Sequence, residues 1–101
     1  MTEADLMRLI QIAVSTKGHR VWRNNVGVAW DKRGIPIHFG LAVGSADLIG
    51  LTSGGRFLSI EVKTSTGRIS DEQLAWRDMV TDMGGIAIIA RSVEDVVALL
   101  P

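Results

Sequence analysis

Glu61-Val62-Lys63 places a carboxylate and an ammonium two residues apart. If the segment is extended, both side chains leave the same face of the strand. On an open face they make an ordinary solvated ion pair, whereas under a covering helix or in a cleft they need a reason to be there. Asp47 shifts that balance. It follows Gly44-Ser45-Ala46 at the start of an earlier extended segment, and the turn-forming Ser53-Gly54-Gly55 folds that segment back beside Glu61. Two carboxylates then converge on one point with a lysine adjacent, and such a pair repels unless a proton or a cation lies between. A hard divalent cation takes oxygen ligands, and Mg2+ typically binds one or two carboxylates plus a substrate phosphate. The metal would polarise a phosphodiester, and the lysine would orient or deprotonate the attacking water. The plainer role for Asp47 is to bond nearby backbone amides at a strand start; Glu61 and Lys63 together weigh against it.

The elements that must position these groups follow from periodicity and caps. Thr2 caps a first helix, answered by Asp5, with Leu6, Leu9, Ile10, Ala13 and Val14 on one face and Gly18 as its end. Val21 to Trp30 forms one or two extended pieces broken by Asn24-Asn25 and Gly27. Asp31 to Gly40 reads as a loop or wide hairpin connection. Asp47 to Thr52 and Arg56 to Lys63 are strands, the second with Leu58, Ile60 and Val62 opposite Phe57, Ser59, Glu61 and Lys63. Ser70-x-x-Gln73 opens a second helix that ends at Gly84-Gly85. Ile86 to Ala90 is apolar enough to be covered on both faces, and Ser92 caps a last helix carrying Val93, Val96, Val97 and Leu100. The order is α-β-β-β-α-β-α, an α/β fold. Its third strand, second helix and fourth strand form a crossover, so the sheet should be mixed.

A chain of 101 residues fits one domain, 1–101, without repeats or low-complexity linkers. It has no cysteine, which excludes disulfides and thiolate metal sites. No apolar run reaches the ~20 residues of a membrane span. The acidic start, Met1 to Asp5, is unlike a secretory signal. A soluble cytoplasmic protein is the expectation. The formal net charge is zero, but residues 17–68 hold eight basic and three acidic side chains, and residues 71–101 hold two and six. One face is thereby suited to phosphate.

Three blocks in order carry a resemblance: Gly44-Ser45-Ala46-Asp47-Leu48-Ile49-Gly50-Leu51, Phe57-Leu58-Ser59-Ile60-Glu61-Val62-Lys63, and Gly67-Arg68-x-Ser70-x-Glu72-Gln73-x-x-Trp76. With Arg23-Asn24-Asn25-Val26-Gly27 upstream and Arg91-Ser92-Val93-Glu94-Asp95 downstream, the chain resembles the VRR-NUC branch of the PD-(D/E)XK nucleases, in its stand-alone phage or bacterial form. The resemblance implies a restriction-endonuclease-like αβββαβ core and Mg2+- or Mn2+-dependent hydrolysis of DNA in repair, recombination or phage replication. It implies Asp47, Glu61 and the Val62 carbonyl as metal ligands and Lys63 as the water-activating cation. It also implies Gln73 and Glu3 as polar supporters of the site. A capping box would explain Gln73 and a helical first turn would explain Glu3. Ala46 departs from the superfamily's proline.

Arg23, Arg56 and Arg68 are candidate phosphate contacts. Trp22 and Trp30 would stack on bases or, more in keeping with their size, pack in a core or interface; Trp76 belongs in the core. Ser45 and Ser59 are small polar residues of a kind that is usually structural. His19 and His38 lack the spacing of a metal pair, and no Ser-His-Asp set presents itself. A core this small gains from a homodimer, with Val21 to Trp30 and Ile35 to Leu41 as candidate surfaces. Two opposed active sites would suit branched DNA such as a four-way junction, a substrate preference the resemblance also implies. The alternative is a DNA-binding or dimerisation module that keeps the fold without turnover.

Overall fold

A computed structural model describes all 101 residues. Helix α1 (Glu3–Thr16) opens on the expected capping box: Thr2 accepts from the Asp5 amide, and Asp5 accepts from the Thr2 amide. Strands follow at β1 (Arg20–Arg23), β2 (Gly27–Trp30), β3 (Pro36–Phe39), β4 (Leu48–Leu51) and β5 (Phe57–Val62). Helix α2 (Asp71–Asp82), β6 (Ile86–Ala90) and α3 (Val93–Val97) complete the chain.

The central sheet runs β1-β4-β5-β6, antiparallel except for the parallel β5–β6 pair that α2 connects. This is the mixed sheet of a restriction-endonuclease-like α/β fold. On one face, Val21, Leu48, Leu58, Ile60, Val62, Ile88 and Ala90 meet Leu6, Met7, Ile10 and Val14 of α1 and Val96 and Leu100 around α3. The buried stripe of α1 thus takes Met7 and leaves Leu9 exposed. On the other face α2 lies over β5 and β6. A helix on each side covers β6 even though it is an edge strand, which accounts for its apolar sequence.

Val21 to Trp30 forms the two extended pieces expected, and the stretch from 31 to 40 holds a further strand. β1 joins the central sheet, while β2 and β3 pair only with each other in a separate two-stranded hairpin. β3 lies within the segment read as a connection, because its Pro36 and short span mask a strand. The hairpin is exposed on both faces, and the molecule measures 47 × 32 × 24 Å. Without β2 and β3 the order is αβββαβα, so the hairpin is an insertion between the first two strands of the core.

Candidate active site

Register carries Asp47 to Glu61. Leu48 pairs with Ile60, so Asp47, the residue just before β4, faces Glu61, one residue later on β5. Asp47 Oδ2 accepts from the Val62 amide at 2.9 Å, a bond that holds its carboxylate beside Glu61. The amide-bonding role of a strand-start aspartate is realised here across the sheet. It engages one oxygen and leaves Oδ1 outside it.

Glu61 is 7% exposed. Its Oε1 accepts from Gln73 Nε2 at 3.0 Å and lies 3.8 Å from Lys63 Nζ. Its Oε2 is buried without a hydrogen-bond partner. Burial first, and then the Asp47 charge, push the Glu61 carboxyl up to about 8, with Glu3 acting in the same direction and Lys63 against it. An unsatisfied buried oxygen is costly and wants a proton or a cation.

Gln73 makes two contacts at once. Its Oε1 accepts from the Ser70 amide at 2.9 Å, completing the capping box of α2, and this turns the Nε2 end toward Glu61. Glu3 opens α1, exposed and without a hydrogen bond, yet close enough for its charge to reach Glu61. No three His, Cys, Asp or Glu side chains converge as a metal cluster. A cation here would draw on two carboxylates, a backbone carbonyl such as that of Val62, and water or phosphate. That donor set suits Mg2+ or Mn2+, and the partnerless Glu61 oxygen gives the ion a ligand to meet.

The arginines separate. Arg68 is exposed in the loop after Lys63. Arg23 pairs with Leu48, whose side chain enters the α1-side core, so Arg23 leaves the sheet on the face away from Asp47. Arg56 donates to the carbonyls of Gly84 and Gly85 at 2.9 and 3.4 Å. About 23 Å of extended chain part it from Lys63. It caps the α2–β6 turn instead of reaching toward the site.

Ser59 accepts from the Trp76 indole at 3.1 Å and Ser45 from Asn24, so both serines are structural. Trp76 is half-buried with its ring edge-on to Phe57. Trp22 and Trp30, at 57% and 68% exposed, are outside the chain's own core. Two residues given no role by their type alone hold the site's edges. Asn24 Nδ2 donates to Ser45 Oγ and the Ala46 carbonyl, both at 2.9 Å, and its backbone amide donates to the Asp47 carbonyl at 2.7 Å. Arg91 Nη1 donates to the Thr64 carbonyl at 2.6 Å, tying the chain just past Lys63 to the end of β6. The sole signal for either was its place in the resembled motifs, since most of their partners are main-chain atoms distant in sequence.

The model of the VRR-NUC domain matches residues 3–94. The chain belongs to the VRR-NUC family. This domain is part of the PD-(D/E)XK nuclease superfamily, whose members generally use divalent metal ions, and it carries a nuclease-type DNA-processing function. No curated protein matches the chain. No helix is long and apolar enough to cross a membrane.

Proposed function

We infer that this VRR-NUC domain is an endodeoxyribonuclease that hydrolyses phosphodiester bonds with Mg2+ or Mn2+ bound by Asp47, Glu61 and the Val62 carbonyl. The observation that carries it is the buried Glu61 beside Asp47, with one oxygen that receives no donor from the chain. A bound divalent ion supplies the Lewis acid for the phosphodiester. The chain's own residues supply the rest. Asp47 is oriented by the Val62 amide, Glu61 by Gln73, and Lys63 Nζ stands at the rim to orient or deprotonate water and to offset charge on the phosphate. Glu3 adds negative charge at the same rim. Arg68, exposed on the loop that follows Lys63, is the arginine left to meet the phosphate backbone.

Selectivity for branched DNA, four-way junctions included, belongs to the same reading, with work in repair, recombination or phage replication. So does a homodimer through the β2–β3 hairpin. Val28, Trp30, Ile37 and Phe39 are exposed there, whereas Val21 is already spent in the core. An isolated two-stranded hairpin is marginal in water, and a second copy would cover it. A module that binds DNA without turnover is disfavoured by Lys63, which a scaffold has no use for beside a buried Glu61 and a half-buried Asp47. The test is cutting of linear, flapped and four-way DNA with Mg2+ or Mn2+. Metal-dependent products are expected; their absence from every substrate under both ions would overturn the enzyme reading.

A further inference from the structure

The loop that joins the hairpin to Asp47 is built with more care than a connection needs. Asn24 holds it from one side: Leu41 N donates to Asn24 Oδ1 at 3.3 Å, and Asn24 Nδ2 donates to Ser45 and Ala46. A turn closes it, with Ser45 N donating to the Ala42 carbonyl at 3.0 Å. Gly40 and Gly44 sit at φ of +83° and +85°, a region side chains other than glycine rarely enter. Gly44 also lies flat on the first turn of α2, where a Cβ would stand 2.5 Å from the Glu72 carbonyl oxygen. One leg of the loop therefore ends in Asp47, and its other contact adjoins Gln73, which holds Glu61. The base of the loop is thereby tied to both halves of the acidic pair.

What the tip presents is apolar. Leu41 and Val43 are exposed, Val43 to 80%, and no charged residue occurs between His38 and Asp47. An uncharged, apolar tip on a loop anchored to a phosphodiester site offers a phosphate nothing to bind. It matches the other surface that DNA offers there, the faces of its bases. Proteins that unstack DNA insert side chains of this kind between base steps.

We propose that Leu41-Ala42-Val43 is a wedge that enters the base stack beside the scissile phosphate, at a branch point where stacking is already broken. This rests on the nuclease reading and names the feature that distinguishes branched from continuous duplex. Asn24 and Gly44 are positioning residues that set the wedge's height above the metal site. A continuous duplex pays the full cost of unstacking, whereas a branch does not, so the wedge favours branched DNA without reading sequence.

The test uses Val43→Ser, which keeps the loop's backbone, alone and with Leu41→Ser. Cutting of four-way and flapped DNA should fall by about tenfold or more while cutting of linear duplex stays within about twofold. In a Lys63→Ala background, which leaves DNA uncut, 2-aminopurine at the branch should brighten on binding, and Val43→Ser should abolish that rise. Equal losses on linear and branched DNA, or an unchanged 2-aminopurine signal, would overturn the wedge and leave the nuclease intact. A variant that turns a dimer into a monomer by light scattering would assign the tip to a protein interface and overturn it as well. No cutting of any DNA by the unaltered protein would overturn the nuclease reading itself, and the wedge with it.

Discussion

In the proposed reaction the chemistry turns on Glu61, because burial and Asp47 make its charged form expensive and leave one oxygen without a donor. Asp47→Asn, Glu61→Gln and Lys63→Ala should each cut DNA at least about 100-fold more slowly, since groups acting as a unit fail together. Circular dichroism should show the fold retained. Any of the three with near-normal cutting has been given the wrong role. Adding Mg2+ or Mn2+ should raise the melting temperature, by linkage worth about 2.7 kcal/mol at a hundredfold excess over Kd. Asp47→Asn should lose most of that gain, and an indifferent melting curve in the unaltered protein would speak against binding to the free site.

Without metal, pH should act in the opposite sense to a normal salt-bridged acid. The folded Glu61 carboxyl sits at about 8 against an ordinary 4.5. Its contribution to stability is therefore complete below the unfolded value and is lost as pH rises through the folded one. Urea melts between pH 4.5 and 8 should weaken with rising pH, and Glu61→Gln should flatten the slope.

At the scale of the element, α2 does two things with one side chain. Gln73 closes the capping box with its oxygen and steadies Glu61 with its nitrogen. Gln73→Ala should cost about 1 kcal/mol of stability from the lost cap as well as slowing cutting. Gln73→Glu keeps a capping oxygen but sets a third carboxylate against Glu61, so cutting should suffer while the cap survives. Denaturant titration beside a rate measurement separates the two, and equal losses of stability in both variants would show that the cap is not what Gln73→Ala removes. Helix caps and the Ser53-Gly54-Gly55 turn were readable because they depend on neighbours within four residues. β3 was not readable as a strand, since its only partner is β2 and neither has a buried face to impose alternation.

For the whole molecule, the exposed hairpin predicts association. Light scattering at micromolar concentration should give a dimer, and Trp30→Glu with Ile37→Glu should give a monomer with unaltered helical content. A monomer before substitution would remove the dimer and leave the active site as described. DNA binding should weaken with rising salt if Lys63 and Arg68 meet phosphate as proposed. Arg56→Ala should leave that salt slope unchanged, because its guanidinium is held by Gly84 and Gly85.

The sequence by itself determined the central order of elements, the mixed sheet and the meeting of Asp47, Glu61 and Lys63. Each follows from alternation along a strand, one tight turn and the caps at helix ends, all of which are local. Only the tertiary structure decided which contacts those residues make across the sheet. Asp47 turned to the Val62 amide, Arg56 to the far turn, Arg23 to the opposite face and Trp22 and Trp30 to the surface. A side chain's type states what it can bond, but register and layer order state what it meets. Those depend on packing between elements far apart in the chain.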